Sequence, residues 1–332
     1  MLKHVARFSM TSILVAGATM ASAAQLSTDA RGAVPHDVQQ LVVIDYRAME
    51  NSPTAMGLRD RVMPPELKQF DDALSKFTLK PVTASGKPSS SPGEPVDQYV
   101  DSLAFALFRE SSTSSALRTV GIAQGQFPTE EILASFRAQK LKPTIVRNNS
   151  LYPMTKSGMT LCFVDPSTMI FGDKDAVTKA LDARDGVTQS MLANGSMMNA
   201  MQSVDSSALW SILDSKGTQT MMKQLLGEAG SVTDFQSVQE RLVASWYAMD
   251  FAHGVRLDLT IQTGDSFAAA TISSLMTAAV VLRKMSASDA EKQALNATDI
   301  ASSAGNLTIH FATSDAEFSS LLQSQLFKTV VH

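Results

Sequence analysis

Apolar and polar positions switch period repeatedly along the chain, between the two-residue alternation of strands and the three-to-four-residue spacing of helices. Leu41-Val42-Val43-Ile44 is a compact β-branched run and reads as a strand. Ser52-Pro53 marks a helix start, because proline at the first turn gives up an N–H that would have no partner there. The helical pattern runs to about Phe77 with a break expected at Pro64-Pro65, and Pro81 to Pro95 reads as an exposed loop. Ser102–Arg109 and Arg118–Gln124 then form a hairpin with a polar connection, and Pro128-Thr129-Glu130-Glu131 opens a helix with carboxylates in its positive first turn. Strands are expected at Thr144–Arg147, Met159–Val164 and Thr168–Phe171, and a helix capped at Asp173 carries Ala176, Val177, Ala180 and Leu181.

The second half runs in the same order. Ala208–Leu213 is a strand, Thr218–Leu226 a helix, and Val243–Phe251 with Val255–Gln262 a hairpin turning at Ala252-His253-Gly254. Asp265 caps an Ala-rich helix, a second helix is expected over Ala287 to about Ile300, and the strand Leu307–Phe311 leads into a last helix capped by Ser314-Asp315. The fold class this predicts is α+β: two tandem ferredoxin-like (split βαβ) repeats, with antiparallel sheets covered by helices. The expected segments are 25–35 as a flexible lead-in, 36–185 as the first repeat and 186–332 as the second, with the boundary near Asp185-Gly186. The stretch Gly121 to Glu131 parallels Leu257 to Ser266, and Met169 to Ala176 parallels Thr308 to Ala316, as patterns rather than as identities.

The N-terminus changes the picture of where this fold resides. Lys3, His4 and Arg7 precede an apolar run through Ile13-Leu14-Val15-Ala16, which ends in small residues at Ala21-Ser22-Ala23-Ala24. That is the layout of a cleavable secretory signal over residues 1–24, with cleavage near Ala23 or Ala24 and a periplasmic or secreted mature chain. Loss of Lys3 and Arg7 leaves 26 basic against 32 acidic residues, a mature charge of 26 − 32 = −6. No basic face for a phosphate backbone follows from that balance, so nucleic acid is excluded as a partner. The later window Phe267–Leu282 is apolar but carries Thr271, Ser273, Ser274 and Thr277, and reads as a buried helix rather than a membrane span. A single cysteine in the chain rules out a disulfide framework, and Cys162 in Thr160–Val164 reads as a small core residue.

Candidate chemistry is thin. His36, His253, His310 and His332 remain after cleavage, no two of them spaced as metal ligands, and no H-E-x-x-H occurs. Gly264-Asp265-Ser266-Phe267 is similar to the opening motif of one family of esterases, but no Asp-x-x-His follows it, and helix capping explains Asp265. There is no phosphate-binding loop and no G-x-S-x-G elbow, and the pairs Asp71-Asp72 and Glu130-Glu131 read as solvated helix charge. Fifteen of the 18 methionines survive cleavage (18 − 3), with clusters at Met191, Met197, Met198, Met201 and at Met221, Met222 that read first as core packing and last as a copper site. No catalytic, cofactor or metal residue is therefore assigned.

Val34-Pro35-His36-Asp37 before an apolar strand and Ser52-Pro53, with Gly172-Asp173-Lys174-Asp175-Ala176-Val177 and Ala208-Leu209-Trp210, resembles a diffuse group of uncharacterised exported bacterial proteins. The resemblance implies export and duplicated strand-helix modules and brings no activity with it. The functional expectation is a non-enzymatic binding or structural module of the bacterial cell envelope, meeting an envelope protein or an apolar ligand. The alternative is a hydrolase whose site assembles only in the fold. A hydrolase predicts convergent carboxylates or a Ser–His contact in a polar cleft, whereas a binding module predicts an exposed apolar patch or groove.

Overall fold

The computed structural model describes residues 25–50, 52–62, 68, 78–79, 94–110, 116–154, 158–226 and 235–323. Residues 1–24, read above as a signal, the expected Pro64-Pro65 break, Asp71-Asp72, most of the Pro81–Pro95 stretch and His332 lie outside the described residues.

In chain order the elements are α1 (Thr28–Gly32), β1 (Val38–Asp45), α2 (Tyr46–Glu50), α3 (Pro53–Val62), the short pair β2 (Thr78–Leu79) and β3 (Glu94–Pro95), β4 (Val100–Arg109), β5 (Leu117–Gly125), α4 (Thr129–Ala138), β6 (Thr144–Val146), β7 (Asn149–Pro153), β8 (Met159–Asp165), β9 (Thr168–Asp173) and α5 (Lys174–Arg184). They continue with α6 (Gly195–Gln202), β10 (Leu209–Leu213), α7 (Ser215–Leu226), α8 (Phe235–Gln239), β11 (Leu242–Asp250), β12 (Val255–Thr263), α9 (Ser266–Ser286), α10 (Asp289–Asn296), β13 (Thr298–Ser303), β14 (Asn306–Thr313) and α11 (Asp315–Leu321).

The helix starts lie where the capping residues put them. The side chains of Asp173, Asp265 and Ser314 accept from the N–H groups of Ala176, Ala268 and Glu317, and Ser314–Glu317 closes a reciprocal capping box. Gly254 turns the β11–β12 hairpin with φ +88°, a conformation that a side chain resists.

Strand order departs from expectation. One 12-stranded sheet runs β13-β14-β12-β11-β10-β1-β4-β5-β9-β8-β7-β6, with β1 and β10 joining the halves at its centre through pairs such as Leu41↔Ile212 and Val43↔Trp210. The two sheets anticipated from the sequence are therefore one. A split βαβ unit sets its first strand beside its third in parallel, whereas every strand pair among the described residues is antiparallel. Outward from the centre the first half reads β1-β4-β5-β9-β8 and the second β10-β11-β12-β14-β13. The hairpin-to-helix matches seen in the sequence thus occupy equivalent places, β5 with β12 and β9 with β14.

Two expectations about local structure are corrected. Residues 25–35 are no flexible lead-in: they form α1, bury Leu26, Ala30, Ala33 and Val34, and are tied down by Met191 N–H donating to the Val34 carbonyl at 2.8 Å. The helix expected to reach Ile300 ends at Asn296, and Thr298–Ser303 is a strand instead, because its hairpin with β14 supplies a backbone partner that local propensity does not reveal.

One face of the sheet is covered across β1, β4, β5, β9 and β10 by α1, α5 and α6, around Phe108, Ile122, Trp210, Ile212 and the buried methionines Met191, Met197 and Met201. The other face packs α4, through Ile132 and Phe136, over Phe105 and Phe171, and α7, α8 and α9 over Leu259, Ile261, Leu307 and Ile309. On the first face, β12, β14 and β13 present Arg256, Asp258, Gln262, His310, Asp299 and Ala301, which are exposed or half-buried. The C-terminal end of the sheet is thus open on one side and roofed by α9 on the other.

Candidate functional site: the solvent face of helix α9

Helix α9 has 21 residues and, among the described residues, is the one helix long and apolar enough by length and composition to cross a bilayer. The expectation that it is buried fails, since only 33% of its most apolar window lies inside the protein. Ile272, Leu275, Met276 and Ala279, spaced three and four apart, form the buried stripe against β12, β14 and β13. The opposite side keeps Phe267 71%, Val281 56%, Leu282 51% and Met285 80% exposed. From Phe267 to Met285 is about 27 Å along the axis at ~1.5 Å per residue.

Between those large side chains the solvent face carries only Ala270, Thr271, Ser274, Thr277 and Ala278. The hydroxyls there donate inward: Thr271 to the Phe267 carbonyl at 2.9 Å, Ser274 to Ala270 at 3.0 Å and Thr277 to Ser273 at 2.9 Å. A partner covering this face would strand no donor, so burial there escapes the penalty of roughly 1–3 kcal/mol for an unsatisfied polar group. Small residues at the centre and bulky apolar ones at both ends make a saddle. The helix has no acidic residue of its own, and Arg283 and Lys284 sit half-buried in its last turn, where the helix dipole favours cations. Its first turn is anchored by Asp265, whose Oδ2 lies 2.8 Å from Arg241 Nη1; the Ala268 N–H above all, with Arg241, holds that carboxyl below the usual range.

The sequence contained the signal for this surface. The stripe 272-275-276-279 accounts for the buried apolar residues, and Phe267, Val281, Leu282 and Met285 fall outside it. Averaging apolarity over the window hid that difference.

The other candidates disperse. His253 is exposed in the β11–β12 turn, and His36 lies in the turn before β1, next to Asp37, which pairs with Lys179 at 2.7 Å. His310 is solvent-facing on β14, as its strand parity predicted, with Nδ1 2.6 Å from Oδ1 of Asp258. A carboxylate on Nδ1 orients an imidazole as in a general base. Across the sheet, however, the row reads Ala248-Asp258-His310-Asp299, so no serine stands beside it in the row. Among the described residues no group of three or more His, Cys, Asp or Glu is placed to hold a metal ion. Glu130 and Glu131 are exposed at the start of α4, and Ser266 is the first residue of α9 behind its cap. Met191, Met197 and Met201 are core, with Met198 packed against them. Cys162 is buried, and burial pushes its thiol up to about 11. A cleft between α10, β14 and α11, lined by Gln293, Phe311, Thr313 and Glu317, measures about 80 Å³, well below the roughly 300–1,000 Å³ of small-molecule sites.

Comparison with known proteins gives a fold and no family. No protein-family model matches the chain, and no curated protein matches it. Among solved structures it is similar to crystal form I of TP0453, at TM-score 0.50 and 12% identity over 90% of this chain and 98% of that one. Crystal forms III and IV of TP0453 align at TM-scores of 0.48 and 0.46, with 12% and 11% identity, each over 89% of this chain and over 98% and 96% of theirs. At this identity the likeness is one of fold.

Proposed function

We propose that the protein is a non-enzymatic binding module of the bacterial cell envelope, exported by its N-terminal signal and engaging a partner protein through the solvent face of α9. The observation that carries this reading is the 27 Å ridge of exposed Phe267, Val281, Leu282 and Met285 with its hydroxyls already satisfied (~1.5 Å rise per residue). Export rests on the layout of residues 1–24 and on the resemblance to uncharacterised exported bacterial proteins. The matching order of strands outward from β1 and from β10 supports a duplicated unit, with antiparallel units in place of ferredoxin-like ones.

The test compares wild type with a Phe267→Ser/Met285→Ser variant, both produced with the native N-terminus in an exporting host. Surface changes of this kind move stability by no more than about 0.5 kcal/mol, so thermal unfolding should be unaltered. Immobilised wild type should retain a stoichiometric envelope protein whose cross-links map to α9, and the variant should lose it. Equal retention by both, or recovery of lipid alone, overturns the reading. N-terminal sequencing of the exported chain should begin at Ala24 or Gln25.

A further inference from the structure

We propose that β13 is an acceptor edge for an extended segment of the partner protein, one that places apolar side chains beneath α9 and a basic side chain on the open face of the sheet. The proposal rests on the binding-module reading above and adds the mode of engagement.

The two halves supply the first argument. Outward from the centre, β8 ends the five-strand order in the first half as β13 ends it in the second. In the first half one more strand follows: β7 pairs with β8 through Tyr152↔Leu161 and Pro153↔Thr160, and the Tyr152 ring packs on Phe136 of α4 at 4.8 Å. Helix α4 follows β5 as α9 follows β12, so β7 shows within this molecule what a strand at that place does. On the second half, among the described residues, no strand pairs with the outer side of β13, and α9 lies over β13 more than over β14 or β12.

The backbone of β13 is suited to accept a strand. A two-residue turn, Ala304 at φ 49° and Gly305 at φ 82°, closes the hairpin, and Ser303↔Asn306 is its first pair. Bonded pairs alternate from there, so Ser303, Ala301 and Asp299 face β14 while Ser302, Ile300 and Thr298 turn their N–H and C=O groups outward. The register is unbroken from Thr298 to Ser303, and the strand has no proline, lysine or bulge of the kind that blunts edges. The opposite end of the sheet is blunted: β6 has three residues and follows Pro143.

Charge specifies the occupant. On the open face Asp258 already engages His310 at 2.6 Å and Arg256 at 3.3 Å, whereas Asp299, last in the row, makes no ion pair among the described residues. A lysine or arginine opposite Asp299 would complete the row. On the other side the half-buried Ile300 and the flank of α9 call for an apolar neighbour.

The test uses a synthetic ten-residue peptide of alternating valine and lysine with the full chain. Two control peptides accompany it, one of alternating valine and glutamate and one of the first composition with an N-methylated backbone. The valine-lysine peptide should slow hydrogen exchange at the Ile300 and Ser302 amides, and both controls should bind at least about tenfold more weakly, the change that follows from losing one good charge pair or two hydrogen bonds. Ser302→Pro removes an outward N–H without touching the ladder to β14, and Asp299→Lys reverses the exposed charge; each should weaken the peptide about tenfold. Absence of protection at Ile300 and Ser302, or wild-type binding by both variants, overturns the acceptor edge. If Ser302→Pro retains the envelope partner that Phe267→Ser/Met285→Ser loses, this inference fails and the binding-module reading stands.

Discussion

Gly121 sits at a contact where one methyl group has a calculable consequence. On β5 it lies between Phe105 of β4 and Phe171 of β9, and the Phe171 ring folds over it: a Cβ at residue 121 would meet Cζ at 2.0 Å, Cε2 at 2.3 Å and Cε1 at 2.5 Å. Phe171 is 1% exposed and packs edge-on against Phe105 with centroids 5.9 Å apart, so the ring must shift by roughly 1.5 Å inside a close-packed layer. Overpacking costs about 1–3 kcal/mol and a spoiled aromatic pair about 0.5–1.5 kcal/mol. Alanine returns about 0.5–1 kcal/mol through the lower entropy of its unfolded chain. Gly121→Ala should therefore destabilise by about 0.5–4 kcal/mol net, centred on about 2 kcal/mol, read as a shift in urea midpoint followed by Trp210 and Trp246 fluorescence. In a Phe171→Leu background the clash is relieved, and the same substitution should cost no more than about 0.5 kcal/mol. Equal costs in the two backgrounds would refute the assignment of Phe171 as the cause.

Two further outcomes follow from titration and burial. Asp265 is held low chiefly by the Ala268 N–H and Glu317 chiefly by the Thr313 hydroxyl, so each folded pKa lies below its unfolded one. Their contribution is present above about pH 4 and is lost as pH falls through the folded values; Asp265→Asn with Glu317→Gln should flatten the acid limb of Tm between roughly pH 2 and 5, and an unchanged limb would count against these caps. Cys162, with its thiol near 11, should react with a disulfide reagent at least about a hundredfold more slowly in the native protein than in urea at neutral pH. Similar rates would show that the core around Ile170 and Leu181 opens readily.

Local signals carried most of the secondary structure, because caps and hairpins are decided by residues a few positions apart. Asp173, Asp265 and Ser314 each cap the helix expected of them, and Ala252-His253-Gly254 turns the hairpin. What was illegible is long-range. The pairing of Leu41 with Ile212 spans the chain and makes one sheet of two, and no local pattern encodes it. β13 was missed because Thr298-Asp-Ile-Ala-Ser-Ser has weak strand propensity and becomes a strand through β14. The lead-in was missed because a five-residue helix has no periodicity to display; Ser27 caps it, and distant Met191 fastens Val34, just beyond its C-cap.

The two halves differ in how they are covered, and the proposed function rests on that difference. Both follow the same strand order, so packing alone would cover them alike. The first half is covered on one face by α1 and α5, on the other by α4, and at its edge by β7 and β6, while α6 extends the cover of the first face over β10 and β11. Beyond α6 the second half leaves β12, β14 and β13 polar and open on that face, the edge strand β13 regular, and the outer side of α9 apolar. The last two of these are hazards at high concentration, since a regular edge and an apolar ridge both invite association. Natural sequences remove such liabilities readily, with a lysine at Ala301 or a serine at Met285 being enough. On the binding-module reading proposed above, blunting one end of the sheet and leaving the other regular separates a structural half from a binding half, and the partner is expected along α9 and β13.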